Sequence, residues 1–236
     1  MPFEIQIAVA KTHKYASRES GDTVELVERP AGGLSVVLVD GQGSGQAAKT
    51  LSLLVSAKAV TLLKEGARDG AVARAVHDYL HTFRQGRVSA TLEILSVDLV
   101  SKTVISSRNS NTPLLLDQGG GFEARPSTAT PIGIRRHTKP TIDQIAAEPG
   151  LRVAIFSDGI SQAGERYAGP FDPLAFATAN LGGDLTARAI ADALLAAAIA
   201  ADQGRPGDDM TVVALTLHPR REYPQIRRME VIVPLP

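Results

Sequence analysis

Four predicted β-strands in this chain each carry an aspartate at one end, and the ends alternate. Asp22 precedes the run 23–28 and Asp40 follows 34–39, while Asp158 follows 152–156 and Asp208 precedes 211–217. Antiparallel pairing sets the start of one strand beside the end of its neighbour. Each pair of aspartates is thereby brought to one edge of a sheet, and the four could crowd together there. Such a cluster is unfavourable unless something neutralises it, and a bound divalent cation does so.

The rest of the chain supplies the strands and helices that such an edge needs. Residues 4–10 alternate weakly and read as a first strand; 23–28 and 34–39 form a hairpin across the turn Arg29-Pro-Ala-Gly-Gly33. Leu51, Leu54, Val55, Leu62 and Leu63 fall at helical spacing, and Val72, Val76, Tyr79, Leu80 and Phe83 repeat the pattern. In 90–99 the apolar phase slips between Ile94 and Leu95, which predicts a long strand with a bulge. Further strands are expected at 103–107, 114–117, 122–125, 152–156 and 211–217, with a helix over 186–201 capped by Asp184. Strands come in groups with helices in pairs between them, not in strict alternation. The pattern therefore predicts an α+β fold of antiparallel sheets with helices on their outer faces. Residues 1–218 read as one domain, and 219–236 as an extension whose segment 229–236 could add a strand or contact a second copy of the chain in a homodimer.

The glycines after Asp40 (Asp40-Gly-Gln-Gly-Ser-Gly45) raise the question of a phosphate-binding loop. A P-loop needs its lysine directly after the last glycine, whereas Lys49 comes four residues after Gly45. The spacing Gly41-x-Gly43-x-Gly45 also misses the dinucleotide fingerprint. A plain strand-to-helix turn, with Asp40 as turn former, accounts for the segment in isolation. The other three aspartates favour a metal site instead. Carboxylates and a backbone carbonyl such as that of Gly41 are hard oxygen donors suited to magnesium or manganese, whereas zinc normally recruits histidine or cysteine, and none of the five histidines falls within these aspartate-bearing segments.

Composition limits the partners. Of 236 residues, 25 are basic and 25 acidic, so no overall field draws nucleic acid or an anionic membrane. The alanine-rich run 187–201 is broken by Arg188 and Asp192, and the N-terminus lacks a signal-peptide pattern, so neither a membrane span nor a signal peptide is expected. The absence of cysteine excludes disulfides and thiol chemistry and is compatible with a reducing cytoplasm. Residues 135–149 are basic at their start and read as a solvated loop that could help docking.

Taken in order, Val37-Leu-Val-Asp-Gly-Gln-Gly-Ser-Gly45, Phe156-Ser-Asp-Gly159 and Gly207-Asp-Asp-Met-Thr211 resemble the metal-dependent protein serine/threonine phosphatases (PPM family). The likeness is to the bacterial SpoIIE and RsbX branch, and Ser110-Asn-Thr-Pro-Leu-Leu115 and Pro131-Ile-Gly-Ile134 also resemble segments of that branch. The resemblance implies an α-β-β-α sandwich with two manganese or magnesium ions at one edge, hydrolysing phosphoserine or phosphothreonine on a protein. The implied substrate is an anti-sigma-factor antagonist or a stressosome component. It further implies that Asp40 bridges the ions, that Gly41 offers its carbonyl, that Asp22 serves one ion, and that Asp158 and Asp208 serve the other. Asp209 falls beside these as a lesser candidate or an orienter of its loop, and Arg18, four residues before Asp22, takes the position of a phosphate contact. Gln42 stands where eukaryotic members commonly place a histidine, so general acid catalysis by that route is not expected. A non-catalytic module of the same fold, binding a phosphorylated partner, is the alternative.

Overall fold

The computed structural model describes residues 3–167, 169–220 and 227–232. Its elements run β1 (Phe3–Thr12), β2 (Asp22–Glu28), β3 (Leu34–Gly41), α1 (Gly45–Lys64), α2 (Asp69–Arg84), β4 (Ala90–Asp98), β5 (Thr103–Asn109), β6 (Leu114–Asp117), β7 (Glu123–Arg125), β8 (Thr141–Ala146), β9 (Arg152–Phe156), α3 (Asp158–Ser161), α4 (Pro173–Asn180), α5 (Ala187–Ala201) and β10 (Met210–Pro219). They build two five-stranded sheets, ordered β1-β10-β9-β6-β7 and β2-β3-β4-β5-β8, in which every pairing is antiparallel.

Three apolar layers hold the sandwich together. Val36, Leu38, Leu95, Val97, Val104, Val153, Ile155, Val213 and Leu215 pack between the sheets. On the outside of the second sheet, Leu51, Val55, Ala59 and Leu63 of α1, with Val72, Ala73, Val76 and Leu80 of α2, cover Val37, Val39, Leu92 and Ile94. On the outside of the first, Ile190, Ala191, Leu194 and Ala198 of α5 cover Ala154, Phe156, Val212 and Ala214. The helices thus show the i, i+4 apolar stripe that faces a core. In α2 the stripe runs through Val76 and Leu80; Phe83, expected within it, is exposed and stacks on Tyr79 at 5.6 Å.

The predicted bulge in 90–99 does not form. The β3–β4 register runs without a break from Leu34↔Val97 to Gly41↔Ala90. Leu92 and Ile94 face the helices, whereas Leu95 and Val97 face the other sheet. Both faces of this strand are dry, so an apolar residue is favoured on either side and the phase change carries no insertion. Two further elements appear: β8 pairs along β5 within the stretch 135–149 read as a loop, and α4, in a stretch given no element, starts at Pro173 with the Asp172 carboxylate accepting from the Leu174 and Ala175 amides. Burial of Arg108 explains the first: its guanidinium donates to Asp143 on β8 at 2.6 Å, a long-range contact invisible to local pattern.

Residues 227–232 carry no strand, and the remainder of the proposed tail strand, 233–236, lies outside the described residues. Among the described residues, no helix is long and apolar enough to cross a membrane.

The cap of α5 is Thr186, not Asp184. The Thr186 hydroxyl accepts from the Ala189 amide at 3.2 Å, while Asp184 is turned to His218 at 2.9 Å. Thr186→Ala should therefore cost about 1 kcal/mol in urea unfolding, whereas Asp184→Ala at its exposed site should stay within about 0.5 kcal/mol.

Candidate metal centre

Asp22 and Asp40 stand directly opposite each other in the β2–β3 register. Asp22 is fully buried where β2 begins; its Oδ2 accepts from the Thr211 hydroxyl of β10 at 2.5 Å, and its Oδ1 has no partner among the described residues. That single bond ties the start of a strand in one sheet to the start of a strand in the other. A buried carboxylate oxygen left unpaired costs free energy, so Oδ1 marks a place where a positive ligand is favoured. Two amides that flank Gly41 are turned to other acceptors. The Ala90 amide donates to Ile132, and the Gly21 amide donates to Asp209.

The second pair comes from the first sheet. Asp158 opens α3 directly after β9, and Asp208 lies two residues before β10; β9 and β10 are antiparallel neighbours. Close approach of the two loops depends on Gly159, where a Cβ would stand 2.2 Å from the Asp209 carbonyl oxygen. The 207–209 loop is pinned from both sides. Asp202, buried at the end of α5, accepts from the Gly207 amide at 2.5 Å and the Gly164 amide at 2.8 Å. Asp209 accepts from the Lys14 amide at 2.9 Å and the Gly21 amide at 2.8 Å, so both of its oxygens are already committed to backbone. Asp208, by contrast, keeps a carboxylate that among the described residues meets only its neighbour's amide and, at 3.9 Å, the Lys14 ammonium.

Electrostatics register the convergence. Burial pushes the Asp40 carboxyl up to about 9, reinforced by the charges of Asp22, Asp158, Asp208 and Asp209. Burial likewise raises Asp22 to about 6, against the Thr211 hydrogen bond that favours its charged form. Asp158 is raised by burial and by Asp208, and a hydrogen bond with Asp40 eases the shift. Carboxyls that hold protons so far above their ordinary range are sites where a cation competes with the proton.

Asp40, Gly41, Asp158 and Asp208 share the wall of one cavity of about 250 Å³, completed by Thr91 and Pro131 among others. Asp22 lies beneath this cavity and Asp209 is set back in the loop, while Arg18 is exposed outside the lining. Gln42 is at the rim with its carbonyl accepting from the Ser89 amide at 2.9 Å, so it braces a loop. Among the described residues, no three Asp, Glu, His or Cys side chains close on a single point as an ion cage would. The carboxylates repel one another, and each can turn on its side-chain torsions within the shared cavity. The donor set, all carboxylate and carbonyl oxygen with the orphaned Asp22 Oδ1 beneath, fits a hard divalent cation.

Residues 30–218 match the family description of stage II sporulation protein E, SpoIIE. The chain belongs to the SpoIIE family. A stage II sporulation protein E from Priestia megaterium is 24% identical over 224 residues, which is 91% of this chain and 37% of that protein. The chain thus spans little more than a third of that curated relative. The structure of the PP2C phosphatase domain with a regulatory fragment of SpoIIE from Bacillus subtilis superposes with a TM-score of 0.79 at 22% identity, over 92% of this chain and 64% of that one. RsbX crystallised in complex with magnesium gives 0.67 at 16% identity, over 90% and 95%. These likenesses agree with the α-β-β-α sandwich.

Sequence reading missed the residues that hold the SpoIIE-type site in shape. Thr211 lies inside one of the family-like motifs, and a hydroxyl beside an acidic pair was a readable signal. Ser157, whose hydroxyl accepts from the Thr211 amide at 3.0 Å, was equally close at hand. Asp202 offered none, because its role depends on the fold of 164–207.

Protein stripped of divalent cations should lose stability as pH rises from about 4 to about 9. Unfolded carboxyls ionise near 3.8, while folded Asp22 and Asp40 keep protons to about 6 and about 9. The folded state therefore binds more protons in that window, and each upward step in pH favours unfolding. Urea midpoints taken across the range should show the fall, and Asp40→Asn should flatten its upper part.

Proposed function

We propose that this chain is a metal-dependent phosphatase of the cytoplasm that removes phosphate from phosphoserine or phosphothreonine on a signalling protein, such as an anti-sigma-factor antagonist or a stressosome component. The observation that carries the reading is the meeting of Asp40, Asp158 and Asp208 on one cavity wall with Asp22 directly opposite Asp40. The phosphatase domain named for the SpoIIE structure and the magnesium named for RsbX support it by likeness.

Two manganese or magnesium ions are the cofactor this donor set suits. In this reading Asp40 would serve both, the Gly41 carbonyl and Asp22 would serve one, and Asp158 and Asp208 the other; the shared cavity wall and the Asp22–Asp40 register support it. When bound, such ions supply acidity to a water molecule and positive charge opposite the phosphoryl oxygens. Asp209 acts differently. By committing both oxygens to the 14 and 21 amides, it fixes the loop that presents Asp208. The Lys14 ammonium lies 3.9 Å from Asp208, a residue of the cavity wall, so Lys14 joins exposed Arg18 as a candidate contact for the substrate phosphate.

No side chain at the site is offered as a nucleophile. The Ser157 hydroxyl accepts from the Thr211 amide and donates to the Asp209 carbonyl, and Ser161 donates back to the Asp158 carbonyl at 3.0 Å. Both are occupied in shaping the turn. Attack by water on phosphorus is then the step that the carboxylates serve, and the chain's own part is to hold them in place.

Asp40→Asn should lower manganese-dependent hydrolysis of a phosphoserine peptide by at least about a hundredfold while leaving circular dichroism unchanged. Asp208→Asn should weaken manganese binding in calorimetry, whereas Asp209→Asn should act mainly by lowering the unfolding midpoint. An Asp40→Asn protein as active as the parent would sink the reading. Tight binding of the phosphopeptide with no turnover by the parent would favour the non-catalytic module instead.

A further inference from the structure

We infer that His77 and His81 of α2 are positioning residues for the cavity wall at Pro131. This inference rests on the phosphatase reading for its catalytic consequence but not for its geometry. Pro131 lines the same cavity as Asp40, Asp158 and Asp208, yet proline has no amide hydrogen with which to anchor itself. Its placement must come from its neighbours.

Those neighbours are held one by one. The Asn109 side-chain amide donates to the Thr130 carbonyl at 3.2 Å. Ile132 exchanges both backbone bonds with Ala90 of β4, at 3.1 and 2.9 Å. Gly133 is buried, and neither of its backbone groups pairs with another backbone group among the described residues. Two histidines one helical turn apart provide the partners. The Gly133 amide donates to His77 Nδ1 at 3.1 Å, and the Gly133 carbonyl lies 3.0 Å from His81 Nδ1, which donates to it. The rings stack at 5.9 Å between centroids. Buried backbone groups need their hydrogen bonds made, so the two histidines hold the peptides on either side of the Gly133 Cα.

Gly133 itself admits no substitute. Its φ is +105°, and a Cβ would lie 2.4 Å from the Val88 carbonyl oxygen. The segment is thus pressed against the end of α2 and the 86–89 loop, with Pro131 on the cavity wall that Asp40 and Asp158 share. The bond from Gly133 requires the lone pair of His77 at Nδ1, so His77 is neutral here with its hydrogen on Nε2, an atom with no partner among the described residues. Burial at 1% exposure leaves little reason for this histidine except the bond it accepts. Helix α2 is in this way connected to the cavity wall at Pro131 through one residue, Gly133.

The test separates this role from simple packing. Amide exchange at Gly133 in the full chain should quicken about tenfold in His77→Ala, since one net hydrogen bond is lost. In His77→Asn, whose side-chain oxygen can accept where Nδ1 did, protection should be largely restored. With manganese and a phosphoserine peptide, His77→Ala should raise KM several-fold while manganese affinity stays within about twofold. Should His77→Ala fail to fold, the half-buried His81 gives a second comparison: His81→Ala removes the bond to the Gly133 carbonyl and His81→Asn, whose side-chain amide can donate, restores it, each read as local opening at the Gly133 amide. Unchanged Gly133 exchange in the Ala variants, or Asn variants no better than Ala, would overturn the inference. A parent protein inactive on phosphopeptides would overturn the phosphatase reading alone, and the exchange measurement would still decide the anchorage of Pro131.

Discussion

The Thr211 hydroxyl, bonded to the buried Asp22 carboxylate, is the contact on which the site depends. Asp22 and Asp40 belong to one sheet, and Asp158 and Asp208 are attached to the other. Left to their charges, the two pairs would separate. What holds them is a set of bonds from neutral or backbone groups: Thr211 on Asp22, and the 14 and 21 amides on Asp209. Backbone donors serve well here because they neither titrate nor move with pH.

Glycine makes that contact geometrically possible. At Gly21 a Cβ would approach Ala48 Cβ to 2.8 Å, and at Gly41 it would meet the Ala48 carbonyl oxygen at 2.3 Å. Helix α1 therefore rests directly on the strand ends that bear Asp22 and Asp40. Gly159 performs the same service for the loop of Asp208. The strained electrostatics of the cluster, seen in the raised Asp40 carboxyl, are carried by a scaffold whose backbones touch. Stability is given up at the site and recovered in the three apolar layers around it.

Much of this was legible because the signals are local. Alternation in 23–28 and 34–39 and the glycine turn between them set a hairpin, and the hairpin alone places Asp22 opposite Asp40. The helical stripes of α1, α2 and α5 were readable for the same reason, since a helix's buried face repeats every turn. Where reading failed, two distant elements had to meet. The phase slip in β4 looked like a bulge only because its second buried face belongs to the opposite sheet. Strand β8 is short and half exposed, and what identifies it is its pairing with β5 and the Arg108–Asp143 contact. Asp184, the expected cap of α5, is bonded to His218 of β10, a strand far along the chain, and Thr186 takes the cap instead.

Sequence by itself determined which residues could bind a hard cation and to which end of each strand they belong, because both follow from side-chain chemistry and the period of the backbone. It also determined membership of the SpoIIE family through the order of its motifs. Only the tertiary structure decided which acidic residue faces the cavity and which is used to hold a loop. Asp208 and Asp209 are adjacent and chemically identical, and their roles diverge because the amides of Lys14 and Gly21, nearly two hundred residues away in the chain, reach one of them and not the other.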